Sequence, residues 1–167
     1  VQAKRAIDEF RADVILLDDG FQHFRIRRDL NVLVVDATNP FAGGRLLPRG
    51  LLRERPSSAR RADLVVLTRT DQAAPMVVEA LRTQVGTLSG GKAVLESVHR
   101  PISVRSLWNK KKYDLEWLRG RSVYAFCGLG NPDAFRRTLE TVGTKIVKFR
   151  TFPDHHRYEG TDLRLLS

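Results

Sequence analysis

Two adjacent carboxylates, Asp18 and Asp19, close the apolar run Val14-Ile-Leu-Leu17 and are followed by Gly20-Phe21-Gln22-His23. A buried strand that delivers carboxylates to its C-terminal end is the arrangement by which α/β sheets hold a metal ion against phosphate oxygens. The same residues are compatible with an ordinary turn, because Asp and Gly both favour turn geometry. The continuation favours chemistry, since Phe21-Gln22-His23 follows where a hairpin would return into an alternating strand.

Three further blocks carry residue types suited to phosphate chemistry. Leu47-Pro48-Arg49-Gly50-Leu51-Leu52-Arg53-Glu54 puts an Arg beside a Glu on a loop shaped by Pro and Gly. Such a pair can present a phosphate-binding fork and a carboxylate that orients it, or it can be a surface ion pair of little worth. Gly128-Leu129-Gly130-Asn131-Pro132-Asp133 lies between an apolar run and a helical pattern, where free backbone N–H groups can meet phosphate oxygens. It lacks the third glycine of a dinucleotide fingerprint, and a tight turn with Asn131 as N-cap and Pro132 in the first helical turn explains it equally well. Phe152-Pro153-Asp154-His155-His156 sets a histidine beside an aspartate, a pairing able to work as a general base near neutral pH. Neighbouring side chains in an extended segment point to opposite sides, so His155 and His156 are poorly placed to share one metal ion.

Two other patterns weigh less. Gly86-Thr-Leu-Ser-Gly-Gly-Lys-Ala93 nearly spells a P-loop, but Ala93 replaces the magnesium-binding hydroxyl, and a helix precedes the pattern where a strand is required. It is read as a helix-to-strand turn. Thr68-Arg69-Thr70-Asp71 follows a strand-like run, and Asp71 could bind a nucleotide base edge or simply open a turn.

Taken together, the DDGFQH string, LPRGLLRE, the block Ala125-Phe-Cys-Gly-Leu-Gly-Asn-Pro-Asp-Ala-Phe135 and the Asp154-His155 pair resemble, in order, the signature blocks of the tetraacyldisaccharide 4'-kinases, the lipid A 4'-kinases of Gram-negative bacteria. The resemblance covers roughly the whole chain. It implies a P-loop NTPase-like fold and transfer of the γ-phosphate of ATP to the 4'-hydroxyl of tetraacyldisaccharide 1-phosphate, giving lipid IVA at the cytoplasmic face of the inner membrane. It further implies that Asp18 and Asp19 hold Mg2+, with Asp19 also catalytic, and that His155 acts at the acceptor hydroxyl. Gln22, His23, Arg53, Glu54, Gly128 and Gly130 would line the substrate and phosphate site, and Asp71 the base. The family's own P-loop and the aspartate that partners its histidine belong to an N-terminal part not found in this chain. The stretch alone is therefore expected to be inactive.

The elements that must position these groups follow from apolar periodicity. Val1 to Phe10 reads as an amphipathic helix. Val14–Leu17, Val32–Val35 and Leu64–Leu67 are continuous apolar runs suited to buried parallel strands. Between the last two, Asn39 to Arg61 is a long Gly-, Pro- and Arg-rich segment, a length usually reserved for function. A helix over Pro75–Gln84, a strand over Ala93–Val98, a connection over Pro101–Lys112, a strand over Ser122–Cys127, a helix from Asn131-Pro132 to about Thr141 and a strand over Lys145–Phe149 complete the pattern. The alternation predicts an α/β fold with a mostly parallel sheet flanked by helices. Residues 1–120 would form the C-terminal part of a kinase core and residues 121–167 a terminal α/β segment. The abrupt helix at the start and the helical turn begun at Asp162 suggest a piece of a longer protein.

Composition sets bounds on partners. The 167 residues, 42% of them hydrophobic, suffice for one core. A net charge of +10 points to an acidic partner: a nucleotide, nucleic acid, or the anionic inner membrane met peripherally. The excess of Arg over Lys suits bidentate phosphate contacts and equally a GC-rich coding bias. Cys127, the single cysteine, excludes an intrachain disulfide and reads as inert core. No apolar run approaches the roughly 20 residues that span a bilayer. The alternative function is a non-catalytic nucleotide- or nucleic-acid-binding module, but no RNP motif, zinc pattern or recognition helix supports it, and nucleic acid is not expected as a partner.

Overall fold

Strand formation here follows burial. In a computed structural model describing residues 2–164, the runs Val32–Asp36 (β1) and Leu64–Thr68 (β2) pair in parallel, and β2 pairs in turn with Ala93–Glu96 (β3). β2 is the central strand, and its Val65 and Leu67 are fully buried. Each contributes about 1.5–3 kcal/mol by leaving water. The helix Pro75–Leu88 (α2) starts with proline in its first turn and lays Val78, Leu81 and Val85 on that face of the sheet. It runs a turn beyond the expected end and stops at Ser89-Gly90-Gly91, where both glycines take positive φ. The P-loop look-alike is therefore a helix-to-strand turn, as its context indicated.

A second parallel pair is formed by Ser122–Cys127 (β6) and Lys145–Thr151 (β7), with a register shift between Val123 and Tyr124. Between them runs the helix Pro132–Val142 (α3), capped by Asn131, whose side-chain oxygen accepts the Ala134 N–H at 3.1 Å. Cys127 is buried, and burial pushes its thiol up from the ordinary range against a hydrogen bond from the Leu129 backbone. It is inert core, as expected.

Between the two parallel units, the expected plain connection contains a small antiparallel hairpin, Val104–Arg105 (β4) with Lys112–Tyr113 (β5). The helices Gln2–Phe10 (α1) and Gly160–Arg164 (α4) bracket the described residues; Val1 of the expected first helix and residues 165–167 of the expected last one lie outside them. Parallel pairing and flanking helices match the expected α/β class, although the strands fall into separate sheets. No helix among the described residues is long and apolar enough to cross a membrane.

One expected strand is absent. Val14–Leu17 is irregular and solvent-facing, with Leu16 90% and Val14 75% exposed. A β-branched run becomes a strand only when its backbone finds an edge and its side chains a face to cover. β1 pairs only with β2, and Val14–Leu17 does not occupy its other edge. The carboxylates therefore stand on a turn after an unpaired segment.

Candidate functional site

The turn that bears the carboxylates is held by contacts distant in sequence. Asp19 sits in the left-handed region at φ 53° and leads into a short 3-10 turn, Gly20–Gln22. Arg28 fastens this turn from below: its Nη1 donates to the carbonyls of Gly20, at 2.5 Å, and His23, at 2.9 Å. Phe21 packs against the core of the three-stranded sheet. Asp18, Asp19 and His23 face solvent.

The long loop folds back onto this turn. Its backbone closes where Leu47 N–H donates to the Leu52 carbonyl at 2.9 Å and Gly50 N–H to the Leu46 carbonyl at 3.0 Å. Only glycine fits at position 50, since a Cβ there would lie 2.2 Å from the Arg45 carbonyl oxygen. The closed loop presents Arg53 to Asp19 in an ion pair, joining two of the sequence blocks. Arg53 and Asp19 are each more than half exposed, so the contact orients both groups and adds little stability.

Glu54 is better housed. Arg61 grips it with both terminal guanidinium nitrogens, Nη1 and Nη2, each at 2.8 Å. That fork holds the Glu54 carboxyl below the usual range, against some desolvation and with help from hydrogen bonds of Ser58 and Gln22. Arg61 also lies over the rings of Phe21, at 4.6 Å, and Phe24, at 4.9 Å. One arginine thus ties the 39–61 loop to the DDGFQH turn through charge and through aromatic faces. Neither Arg28 nor Arg61 stood out in the sequence, where they are ordinary members of an arginine-rich chain.

The glycine turn and the histidine block form a second group. A Cβ on Gly128 would come within 3.0 Å of the Pro153 carbonyl oxygen, 3.2 Å of the His156 Cβ and 3.3 Å of the Tyr158 hydroxyl; one on Gly130 would meet the Asp154 carboxylate at 3.4 Å. Both glycines let the turn press against Asp154-His155-His156. His155 adopts φ 57° and its side chain is 95% exposed, 3.8 Å from the Asp154 carboxylate. His156 is the anchored neighbour. It stacks on Phe152 with centroids 4.6 Å apart and meets Asp162 at 2.9 Å. Asp162 is held below the usual carboxylate range by the Glu159 N–H first and then by His156. With His156 fixed inward, the left-handed backbone at His155 turns the free imidazole outward.

Asp36, at the end of β1, links the glycine turn to the three-stranded sheet. Its Oδ1 accepts the Thr38 N–H at 2.9 Å and the Thr38 hydroxyl at 2.7 Å. Its Oδ2 accepts Arg69 Nη1 at 2.6 Å and Asn131 Nδ2 at 3.0 Å. Asn131 Nδ2 also donates to the Thr38 hydroxyl at 3.0 Å, so the helix cap that begins α3 is bonded to the three-stranded sheet. A shallow polar depression of about 300 Å³ opens beside this bridge, lined by Thr38, Asn39, Gly130, Asn131, Asp133 and Arg137. Asp71 stands exposed in the 3-10 turn after β2, and it is Arg69 of that segment that reaches the bridge. Among the described residues no hydrogen bond or ion pair joins Asp18 or Asp19 to His155.

Parallel strands flanked by helices, with carboxylates, an Arg-Glu loop and a glycine turn gathered on the connecting segments, agree with the P-loop kinase class. Within that class, the chain belongs to the tetraacyldisaccharide-1-P 4'-kinase family, whose model matches residues 1–167. It is 44% identical to a tetraacyldisaccharide 4'-kinase of Syntrophus aciditrophicus, over 98% of this chain and 45% of the relative. It is 47% identical to one of Anaeromyxobacter dehalogenans, over 96% of the chain and 42% of the relative, and 43% identical to one of Elusimicrobium minutum, over 97% and 43%. The chain thus spans less than half the length of these relatives. No solved structure matches it significantly.

Proposed function

We propose that the chain supplies part of the acceptor and phosphate site of a kinase that transfers the γ-phosphate of ATP to the 4'-hydroxyl of tetraacyldisaccharide 1-phosphate, giving lipid IVA in lipid A biosynthesis. The observation that carries this reading is the meeting of Asp19 with Arg53, which joins two blocks of the family onto one surface. Phosphoryl transfer chiefly needs positioned charge, and carboxylates beside an arginine fork supply both signs.

In the reaction the acceptor oxygen bonds to the γ-phosphorus, the bond from that phosphorus to the β,γ-bridging oxygen breaks, and ADP leaves. His155, whose imidazole faces solvent 3.8 Å from the Asp154 carboxylate, takes the proton of the 4'-hydroxyl on a ring nitrogen. Arg53, with Gln22 and His23, orients phosphate groups, Glu54 lines the site while clasped by Arg61, and the Gly128–Gly130 turn offers backbone N–H groups at the start of α3. Asp71 is assigned to the nucleotide base. Asp18 and Asp19 are the residues that would hold Mg2+. Two adjacent exposed carboxylates suit an ion that keeps waters and takes its remaining ligands from phosphate, and no cage of three or more acidic, His or Cys side chains exists among the described residues. When bound, the ion neutralises charge on the transferred group.

A second depression, of about 590 Å³, is lined by Gly44, Arg45, Leu46, Leu47, Pro48 and Arg49, and its mix of apolar and cationic groups suits an anionic lipid. With the net charge of +10, it supports peripheral work at the cytoplasmic face of the bacterial inner membrane. The test is transfer of labelled phosphate to tetraacyldisaccharide 1-phosphate by the full-length protein carrying this sequence, with and without His155→Ala. Loss of a general base should slow transfer roughly 10²–10⁴-fold. A folded, ATP-binding protein that phosphorylates no such lipid would sink the reading.

A further inference from the structure

The β4–β5 hairpin carries a feature that phosphate transfer does not use. Its tip, Ser106-Leu107-Trp108-Asn109-Lys110-Lys111, projects an indole that is 97% exposed and a leucine that is 84% exposed. Ile102, just before β4, is 80% exposed. The tip is a hydrogen-bonded turn. Ser106 N–H donates to the Lys111 carbonyl at 2.9 Å, and Lys111 N–H to Asn109 Oδ1 at 3.0 Å. Lys110 takes φ 59° at the bend. The apolar side chains are thus held outward by a shaped backbone.

Charge around the tip has one sign. Arg100, Arg105, Lys110, Lys111 and Lys112 lie between Ser97 and Tyr113, and that stretch contains no Asp or Glu. Tryptophan and leucine ringed by lysines have the composition of a membrane-interface contact: the indole suits the headgroup level, leucine the acyl boundary, and ammonium groups the lipid phosphates. A single-stranded nucleic acid would favour successive aromatic faces. Here the second aromatic, Tyr113, is packed on Trp117 at 4.8 Å and sits under Lys111.

We propose that the 106–111 tip, with Lys112 at the start of β5, is a docking element for an anionic lipid bilayer, with Trp108 and Leu107 entering the interface and Lys110, Lys111 and Lys112 meeting lipid phosphates. This rests on the membrane contact included in the proposed function and gives that contact a location.

Trp108 and Trp117 are the only tryptophans in these 167 residues, so in the full-length protein Trp117→Phe, with any tryptophan outside this sequence also changed to Phe, leaves Trp108 as the sole indole probe. On vesicles of phosphatidylglycerol and phosphatidylethanolamine its emission should shift to the blue and be quenched by brominated acyl chains. Pure phosphatidylcholine vesicles should leave it nearly unchanged. In the otherwise unaltered chain, Trp108→Ala should weaken vesicle partition roughly tenfold. Replacing Lys110, Lys111 and Lys112 together by Gln should weaken it about a hundredfold. Trp108 emission that stays unshifted while the chain co-floats with anionic vesicles overturns the proposal. A shift produced by a single-stranded oligonucleotide and not by vesicles does so as well. Phosphate transfer by the full-length protein to detergent-dispersed lipid is scored separately, so failed docking and a failed kinase reading are told apart.

Discussion

Replacing Asp36 with Asn removes a charge and one acceptor from the bridge between the two parallel units, and its cost can be worked from the geometry. Four donor contacts converge on the Asp36 carboxylate, two from Thr38 and one each from Arg69 and Asn131. An amide accepts on one side only, so either the Thr38 pair or the Arg69–Asn131 pair would face an NH2 group. A hydrogen bond to a charged group contributes about 1.5–3 kcal/mol, and the Asp36 side chain is 24% exposed, which leaves modest screening. Together these give a loss of about 3 kcal/mol, or roughly 6–12 °C in Tm for a chain of this size. Partial burial pushes the Asp36 pKa up, but hydrogen bonds from Thr38 and Asn131 and the Arg69 charge outweigh it and hold the group below its ordinary value. Its stabilisation is therefore complete above the unfolded value of about 3.9 and lost as pH falls through the lower folded value. Urea unfolding at pH 7 should show the full gap between the native chain and Asp36→Asn, and the gap should narrow steadily below about pH 4. Asn131→Ala should be strongly non-additive with it. A gap under about 0.5 kcal/mol at pH 7, or simple additivity of the two changes, would refute the bridge.

Arg61→Leu should release Glu54, whose carboxyl then titrates higher than in the native chain; side-chain NMR of Glu54 against pH reads this directly, and an unmoved titration would deny the fork its role. Gly128→Ala should cost about 1–3 kcal/mol by overpacking and shift the amide resonances of Asp154 to His156, because the new methyl meets the Pro153 carbonyl. Unchanged stability and resonances would show that the glycine turn does not press on that block.

The fold elements legible in the sequence were those whose signal is local. Val32–Val35 and Leu64–Leu67 are β-branched runs, Pro75 opens a helix with Val78, Leu81 and Val85 on one face, and Asn131-Pro132 cap the next. All appear within a few residues of their expected limits. The family was legible too, because its blocks are short strings of chemically distinctive residues, and the match of the family model over residues 1–167 bears out the membership.

Sequence alone thus determined the α/β class, the order of most strands and helices, and the family. Tertiary structure decided which side chains meet and which strand runs find partners. Val14–Leu17 has strand composition but no neighbouring edge, so it stays unpaired. Arg28 and Arg61 are chemically indistinguishable from the other arginines until folding brings one beneath Gly20 and His23 and the other onto Glu54, Phe21 and Phe24. Asp36 and Asn131 stand 95 residues apart, and the fixing of His156, which leaves His155 free, depends on Asp162 and Phe152. The physical division is one of range: backbone propensity and apolar periodicity act over a few residues, whereas a hydrogen bond or ion pair forms only where the packed chain carries its two ends into contact.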